Sequence, residues 1–218
     1  MAREKRPATT RANGEATREK ILDAAEHLFG QRPFDTVSLR EITETAGVTL
    51  ALAHYHFQTK ENLFAQVVAR RADILGDMRR ERLEALRRGG TLSVRTVLDA
   101  FMRPIFELMK NSDEGWSAYL RVLSRLGEDS RWMELLGRHF DEVAREYLGE
   151  LHRMMPDAPI DRLSRGLTFT ILLMLQTVAA NRRLDSITAG ASRAADLDAA
   201  YEALLPFCEA GLQRIAAA

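Results

Sequence analysis

Apolar residues recur every three or four positions along most of this chain, the period of a helix with one buried face. From Thr17, the stretch TREKILDAAEHLFGQ sets Ile21, Leu22, Ala25, Leu28 and Phe29 along one side of a first helix. Two much shorter helices follow in SLREITETAGVTLALAHYHF, residues 38–57. Ser38 and Glu41 have the spacing of a reciprocal cap, in which each side chain satisfies an orphan backbone N–H. Ile42 and Ala46 share a face, and Gly47 supplies the left-handed backbone of the turn Ala46-Gly47-Val48. Thr49 is placed to cap the next helix, which runs toward His56. Thr59 is placed to cap a fourth, opening KENLFAQVV, with Leu63, Phe64 and Val67 facing inward.

The same period carries the fourth helix to about Arg88, closed by Gly89-Gly90, with arginines and acids on a solvated face. A fifth helix covers residues 94–110 and is expected to kink at Pro104, which has no backbone donor. A sixth spans about 114–126 and a seventh about 131–155. The eighth is expected over about 160–184 and the last over about 197–215, with a looser stretch between. No strand-like alternation persists. The expected fold class is all-α: a three-helix head containing a helix-turn-helix, then a C-terminal helical bundle.

Composition changes this picture little. Basic and acidic residues balance at 31 each, and residues 1–70 hold ten Lys and Arg against nine Asp and Glu, so any field facing phosphates must come from placement. Arg40, Lys60 and an N-terminal arm supply it. The N-terminus reads as a disordered basic arm, residues 1–14, with Arg3, Lys5, Arg6 and Arg11 and with Arg18 just after it, a solvated tail in preference to a minor-groove contact. That arm lacks the apolar core of a secretory signal, and a lone cysteine, Cys208, fits a reducing cytoplasm. The longest apolar run, Leu167 to Ala180, is shorter than the ~20 residues of a membrane span and contains Thr168, Thr170, Gln176 and Thr177. It reads as a core and interface helix, with no membrane partner expected.

Candidate metal and enzyme chemistry is thin. His54 and His56, two positions apart, point about 200° away from each other on a helix and cannot chelate one ion. His139 and His152 have no ligand cluster at useful spacing, and neither a phosphate loop nor a nucleophile–base arrangement occurs. No metal, cofactor or catalysis is expected. Helix, glycine turn and second helix instead form the unit whose second member enters the DNA major groove. The start of that helix presents Thr49, Leu50 and Ala51, with His54 one turn on. Thr49 can hydrogen-bond or touch a thymine methyl, Leu50 and Ala51 offer apolar contact, and His54 can donate to guanine or phosphate. Tyr55 and Phe57 also suit core aromatic positions, and Phe57 is read as core.

Together Ile21-Leu22-Asp23-Ala24-Ala25, Leu28-Phe29, Phe34, Thr36, Ser38, Ile42, Ala46-Gly47-Val48, Tyr55, His56-Phe57, Lys60-Glu61 and Leu63-Phe64 match, in order and spacing, the TetR family of bacterial transcriptional regulators, which residues 15–75 resemble. The resemblance implies that Thr36, Ser38, Tyr55, His56 and Lys60 hold the DNA backbone. It also implies a homodimer joined through the last two long helices, and repression of transcription. Three positions depart from the family. Pro33 replaces a usual glycine, so the loop after the first helix is expected to be rebuilt around Gly30. His54 replaces a common tyrosine and Leu50 a common lysine or polar residue, which leaves the operator sequence open.

Residues 76–218 are then expected to bind a ligand and dimerise, since two reading helices must meet half-sites about 34–36 Å apart or a multiple of that. Leu167, Ile171, Leu175, Val178, Leu204, Leu205 and Phe207 supply apolar surface for core and interface. Phe101, Ile105, Trp116, Tyr119, Leu123, Phe140, Phe169 and Met174 suggest a cavity, though each also suits plain core. The expected partners are double-stranded operator DNA, a second copy and a small apolar effector that relieves repression. A helical interaction module that has lost DNA binding is the alternative, favoured by Leu50 and the balanced charge.

Overall fold

The computed structural model describes residues 8–89, 91–111, 114–127, 129–179 and 182–217, and these contain helices and no strand. In order they are α1 (Ala8–Gln31), α2 (Leu39–Ala46), α3 (Leu50–Phe57), α4 (Lys60–Gly89), α5 (Val94–Asn111), α6 (Glu114–Leu126), α7 (Met133–Met154), α8 (Ile160–Val178), α9 (Arg183–Ile187) and α10 (Leu197–Ala216). Short 3₁₀ turns at Phe34–Thr36 and Ser130–Trp132 precede α2 and α7. Helices α1 to α3 and the first turns of α4 make a head. The rest makes a body in which α4 packs on α5 and α7, and α10 on α5 and α8.

The head is built from the apolar face read in the sequence. Ile21, Leu22, Ala25 and Phe29 are buried with Ile42, Phe57, Leu63, Phe64 and Val67. Phe29 and Phe64 meet edge to face at 4.9 Å, and Phe34 closes on Phe64 at 5.1 Å. The buried core continues from there into the body without a break, as far as Leu212.

Three expectations are corrected. The helix expected from Thr17 begins at Ala8, inside the supposed arm, because alanine and arginine prolong a helix already anchored by packing. Only residues 1–7 of that arm, with Arg3, Lys5 and Arg6, lie outside the described residues. Gly30 is a helical residue of α1 and rebuilds no loop: a Cβ there would come within 2.8 Å of the Ala118 backbone on α6, so glycine lets the two helices touch. Pro33 instead opens the 3₁₀ turn, φ −57° and ψ 149°. Finally α8 stops at Val178. Beyond it Arg182, Arg183 and Leu184 are exposed, so the packing that sustains a helix is gone, and α9 forms separately.

Candidate nucleic-acid interface and effector cavity

Helix α3 is anchored by Ala53 and Phe57, one turn apart and buried. The opposite face carries Thr49, Leu50, Ala51 and His54 into solvent, with Tyr55 beside them at 65% exposure, while His56 is half-buried. Ser38 caps α2 by accepting from Glu41 N at 3.2 Å, but the reciprocal half of the cap is not made: the Glu41 carboxylate pairs with Arg32. Gly47 adopts φ 65° and ψ 34°, with Gly47 N donating to Glu44 O and Val48 N to Thr43 O, the double closure that ends a helix at glycine. Thr49 sits at the N-cap of α3 without a side-chain cap bond, so its hydroxyl faces outward unspent on the helix.

His54 places Nδ1 at 3.1 Å from Gln58 O. A carbonyl only accepts, so Nδ1 donates here and leaves Nε2 to make any outside contact. Gln58 itself holds φ 66° and ψ −58°, and Thr59 N donates to Phe57 O at 2.7 Å, a strained γ-turn between α3 and α4. Asn62, which the sequence reading passed over, donates from Nδ2 to Phe57 O at 2.9 Å, while Asn62 N finds the expected cap on Thr59 Oγ1 at 3.1 Å.

The remaining backbone-holding candidates are placed as follows. Thr36 Oγ1 donates to Pro33 O at 2.9 Å, and exposed Arg40 pairs with Glu44 at 3.0 Å. Lys60 Nζ donates to Phe34 O at 3.0 Å and Val37 O at 2.9 Å and lies 4.2 Å from the Phe34 ring centroid. Two of its three N–H bonds thus tie α4 to the turn before α2, a structural duty that residue spacing did not reveal.

Head and body join along α1 and α6. Around Gly30, Arg121 donates to Gly30 O, and Arg125 to both Phe29 O and Gly30 O at 3.2 Å, so α6 satisfies the terminal carbonyls of α1. Deeper in, Arg71 of α4 grips buried Glu26 of α1 with bonds of 2.7 and 2.8 Å and lies over Trp116 of α6. Burial raises the Glu26 carboxyl above its usual range, against the pull of Arg71. A cleft of about 440 Å³ opens at this seam, floored by Phe29, Phe34 and Trp132 and spanned by Arg131, which bonds Asp35 of the head and Asp129 of the body.

Inside the body a smaller cavity of about 80 Å³ lies among α4 to α8. Phe101, Ile105, Leu123, Phe140 and Met174 line it. So do Ile171 and Leu175, which the sequence reading had set on the interface. Trp116 and Tyr119 do not: Trp116 packs under Arg71, and Tyr119 Oη donates to Val68 O at 2.9 Å. Phe169 is 54% exposed on the outer face of α8, where Leu172, Leu173 and Phe207 of α10 join it in an apolar groove. Leu167, Val178 and Leu205 are buried within the protomer instead, and Leu204 is half-buried. A three-residue error of phase on a helix turns a side chain by about 60°, enough to exchange pocket, core and surface. Among the described residues no cluster of His, Cys, Asp and Glu could hold a metal, and no helix is long and apolar enough to cross a membrane.

A short outward-facing helix, docked through a glycine turn onto a helical head that rides on a larger helical body, defines the class of helix-turn-helix regulators. A family model for bacterial regulatory proteins, tetR family, matches residues 21–67, and one for the tetracyclin repressor-like C-terminal domain matches residues 99–211, over half the chain. The HTH-type transcriptional regulator BetI of Rhizobium meliloti (strain 1021) is 28% identical over 149 residues, 68% of this chain and 71% of that protein. The HTH-type transcriptional regulator AcrR of Shigella flexneri is 40% identical over 58 residues, 27% of each chain. Salmonella enterica GusR has the same fold at a TM-score of 0.58 and 12% identity, across 93% of this chain and 96% of that one. This chain belongs to the TetR family, and it is a DNA-binding transcriptional regulator. Regulators of that family bind operator DNA and act as dimers.

Proposed function

We propose that the protein is a dimeric repressor in which residues 15–75 read the operator and residues 76–218 bind an effector and pair the protomers. The observation that carries this reading is α3, held from behind by Ala53 and Phe57 while Thr49, Leu50, Ala51, His54 and Tyr55 face solvent. Such a helix can enter a major groove without unfolding anything. Thr49 and the outward Nε2 of His54 suit base edges. Tyr55, Arg40 and the remaining N–H of Lys60 suit phosphates. The apolar groove with Phe169 and Phe207 supports pairing through α8 and α10, continuous with the interface the family implies. The protein is expected to work in the cytoplasm on the nucleoid, as a regulator and not a catalyst.

Release follows from differential affinity. A ligand that enlarges the 80 Å³ cavity shifts α4, whose first residue ties down the turn before α2. The test is capture of genomic fragments by the purified protein, followed by gel shifts at several salt concentrations. Specific binding that weakens steeply with salt, and changes its base preference in Thr49→Val and His54→Ala, is expected. A protein that captures no fragment selectively is instead a helical interaction module, the reading to which exposed Leu50 and Leu52 would then belong.

A further inference from the structure

Most arginines of α4 are paired, and of the buried or half-buried ones all but Arg79 meet a carboxylate. Arg70 meets Glu19 and Asp23, Arg71 meets Glu26, Arg80 meets Glu142 and Glu146, Arg82 meets Glu107, and Arg87 meets Glu84 and Glu150. Arg79 is the most deeply buried, 5% exposed, and among the described residues no carboxylate bonds it. Its Nε donates to Phe101 O at 2.9 Å, and its guanidinium carbon lies 3.8 Å from the Phe101 ring centroid. The two phenols nearest in charge, Tyr147 and Tyr119, offer no anion. Each spends its proton on an α4 carbonyl, Arg79 O and Val68 O, and burial raises both above the ordinary phenol range. Burial also pushes the Arg79 guanidinium down to about 10, which leaves it charged at neutral pH.

This cation stands on the wall of the 80 Å³ cavity, and among the described residues lining it Arg79 alone brings a polar side-chain group. An unpaired charge in an apolar interior is costly, and evolution usually removes or pairs it. We propose that the cavity takes a small monocarboxylate, its carboxylate paired with the terminal nitrogens of Arg79 and its short apolar tail against Ile105, Leu123 and Met174. Planar guanidinium and carboxylate match in shape and can bond through two parallel N–H···O contacts. At ~10–15 Å³ for each water-sized position, the 80 Å³ volume holds roughly five to eight non-hydrogen atoms, the size of about a three- to six-carbon acid. The inference rests on reading this cavity as the effector site, and it adds the charge and size of the effector.

The test uses the full-length protein at pH 7 with three isosteric probes: sodium pentanoate, 1-pentanol and pentylammonium chloride. Calorimetry gives their affinities, and fluorescence anisotropy on captured DNA gives their effect on operator binding. Pentanoate is expected to bind about 10- to 100-fold more tightly than pentanol, the span of a charge-assisted pair, and pentylammonium not at all. Arg79→Met should erase that preference while keeping the helical spectrum, because an apolar side chain of similar length replaces a buried charge. Arg79→Lys should keep the order of the probes at reduced affinity. Pentanol binding as tightly as pentanoate to the natural protein overturns the monocarboxylate and leaves the effector cavity standing, and this comparison needs no variant. Pentanoate that binds through Arg79 yet leaves operator affinity unchanged keeps the anion site and removes the effector reading. Binding by none of the three defeats both.

Discussion

Replacing Gly30 by alanine separates close helix contact from ordinary helix propensity, because the two predict opposite signs. Gly30 is helical with no positive φ, so alanine suits its backbone and should by propensity alone stabilise α1 by up to ~1 kcal/mol. The neighbouring helix forbids this. The added Cβ would stand 2.8 Å from Ala118 Cα, 2.8 Å from Ala118 O and 2.9 Å from Ala118 Cβ. Two of those atoms are backbone and cannot rotate aside, so α1 and α6 must separate. Overpacking of this kind costs about 1–3 kcal/mol, and the bonds from Arg121 and Arg125 to the α1 carbonyls lengthen with it. The expected net loss is ~1–2 kcal/mol, a fall in Tm of roughly 2–8 °C for a chain of this length. Gly149 in α7 has nothing within 4 Å of its would-be Cβ, so Gly149→Ala is the control, expected to gain ~0.5–1 kcal/mol. Both are read by urea denaturation with m-values checked for constancy. Adding Ala118→Gly to Gly30→Ala should restore part of the loss and not all of it, since the Cα and O contacts remain. Equal stabilisation by Gly30→Ala and Gly149→Ala would show that the helices are not in contact there.

Three further outcomes are expected. Gln58→Gly should raise stability by about 0.5–2 kcal/mol, because φ 66° with ψ −58° strains any residue with a Cβ; a loss on denaturation would rule the strained turn out. Lys60→Met should lower Tm by roughly 3–6 °C, since two charge-assisted bonds to Phe34 O and Val37 O are lost from a half-buried site; an unchanged Tm with weakened DNA binding would mean that Lys60 serves phosphate alone. For Glu26 the folded-state carboxyl titrates above its ordinary value of about 4.5 because burial disfavours the anion. The folded protein therefore keeps that proton longer than the unfolded chain, and rising pH works against folding from about 4.5 up to the raised value. The stability of the natural protein relative to Glu26→Gln should decline over that window in parallel denaturation series; a difference that grows with pH contradicts it.

Local chemistry was legible in the sequence wherever one residue type had one use. Ser38, Gly47 and Thr59 cap and turn the chain where spacing put them, and α4 to α7 fall close to the expected limits, with Gly89 ending α4 and Pro156 following α7. Failures share a different cause. Gly30 looks like a loop residue until Ala118 is placed against it, and nothing in the spacing shows that Lys60 also holds the Phe34 and Val37 carbonyls. Both depend on contacts across 23 residues or more of chain, which periodicity does not encode. The division of α8 is the same problem on one helix. Leu167, Phe169, Ile171 and Leu175 are alike as hydrophobes, yet they face core, outer groove and cavity according to which helix lies opposite.

The contacts of α4 explain how one helix can serve both ends of the molecule. Lys60 holds the turn before the reading pair, Arg71 locks Glu26 of α1, and Leu75 and Arg79 form a wall of the inner cavity. From Lys60 to Arg79 the helix rises about 28 Å at ~1.5 Å per residue. It does so without a proline, so it transmits displacement as a rod and does not absorb it at a kink. Its charge pairs reinforce this, since Arg70, Arg80, Arg82 and Arg87 tie it to α1, α7 and α5 on several sides. Arg79 is the one member of that series whose partner is left open at the cavity. A ligand bound to Arg79, as proposed, would act directly on this helix. On that proposal a widening of the cavity would be carried along the helix to Arg71 and Lys60, which bond Glu26 of α1 and the turn before α2.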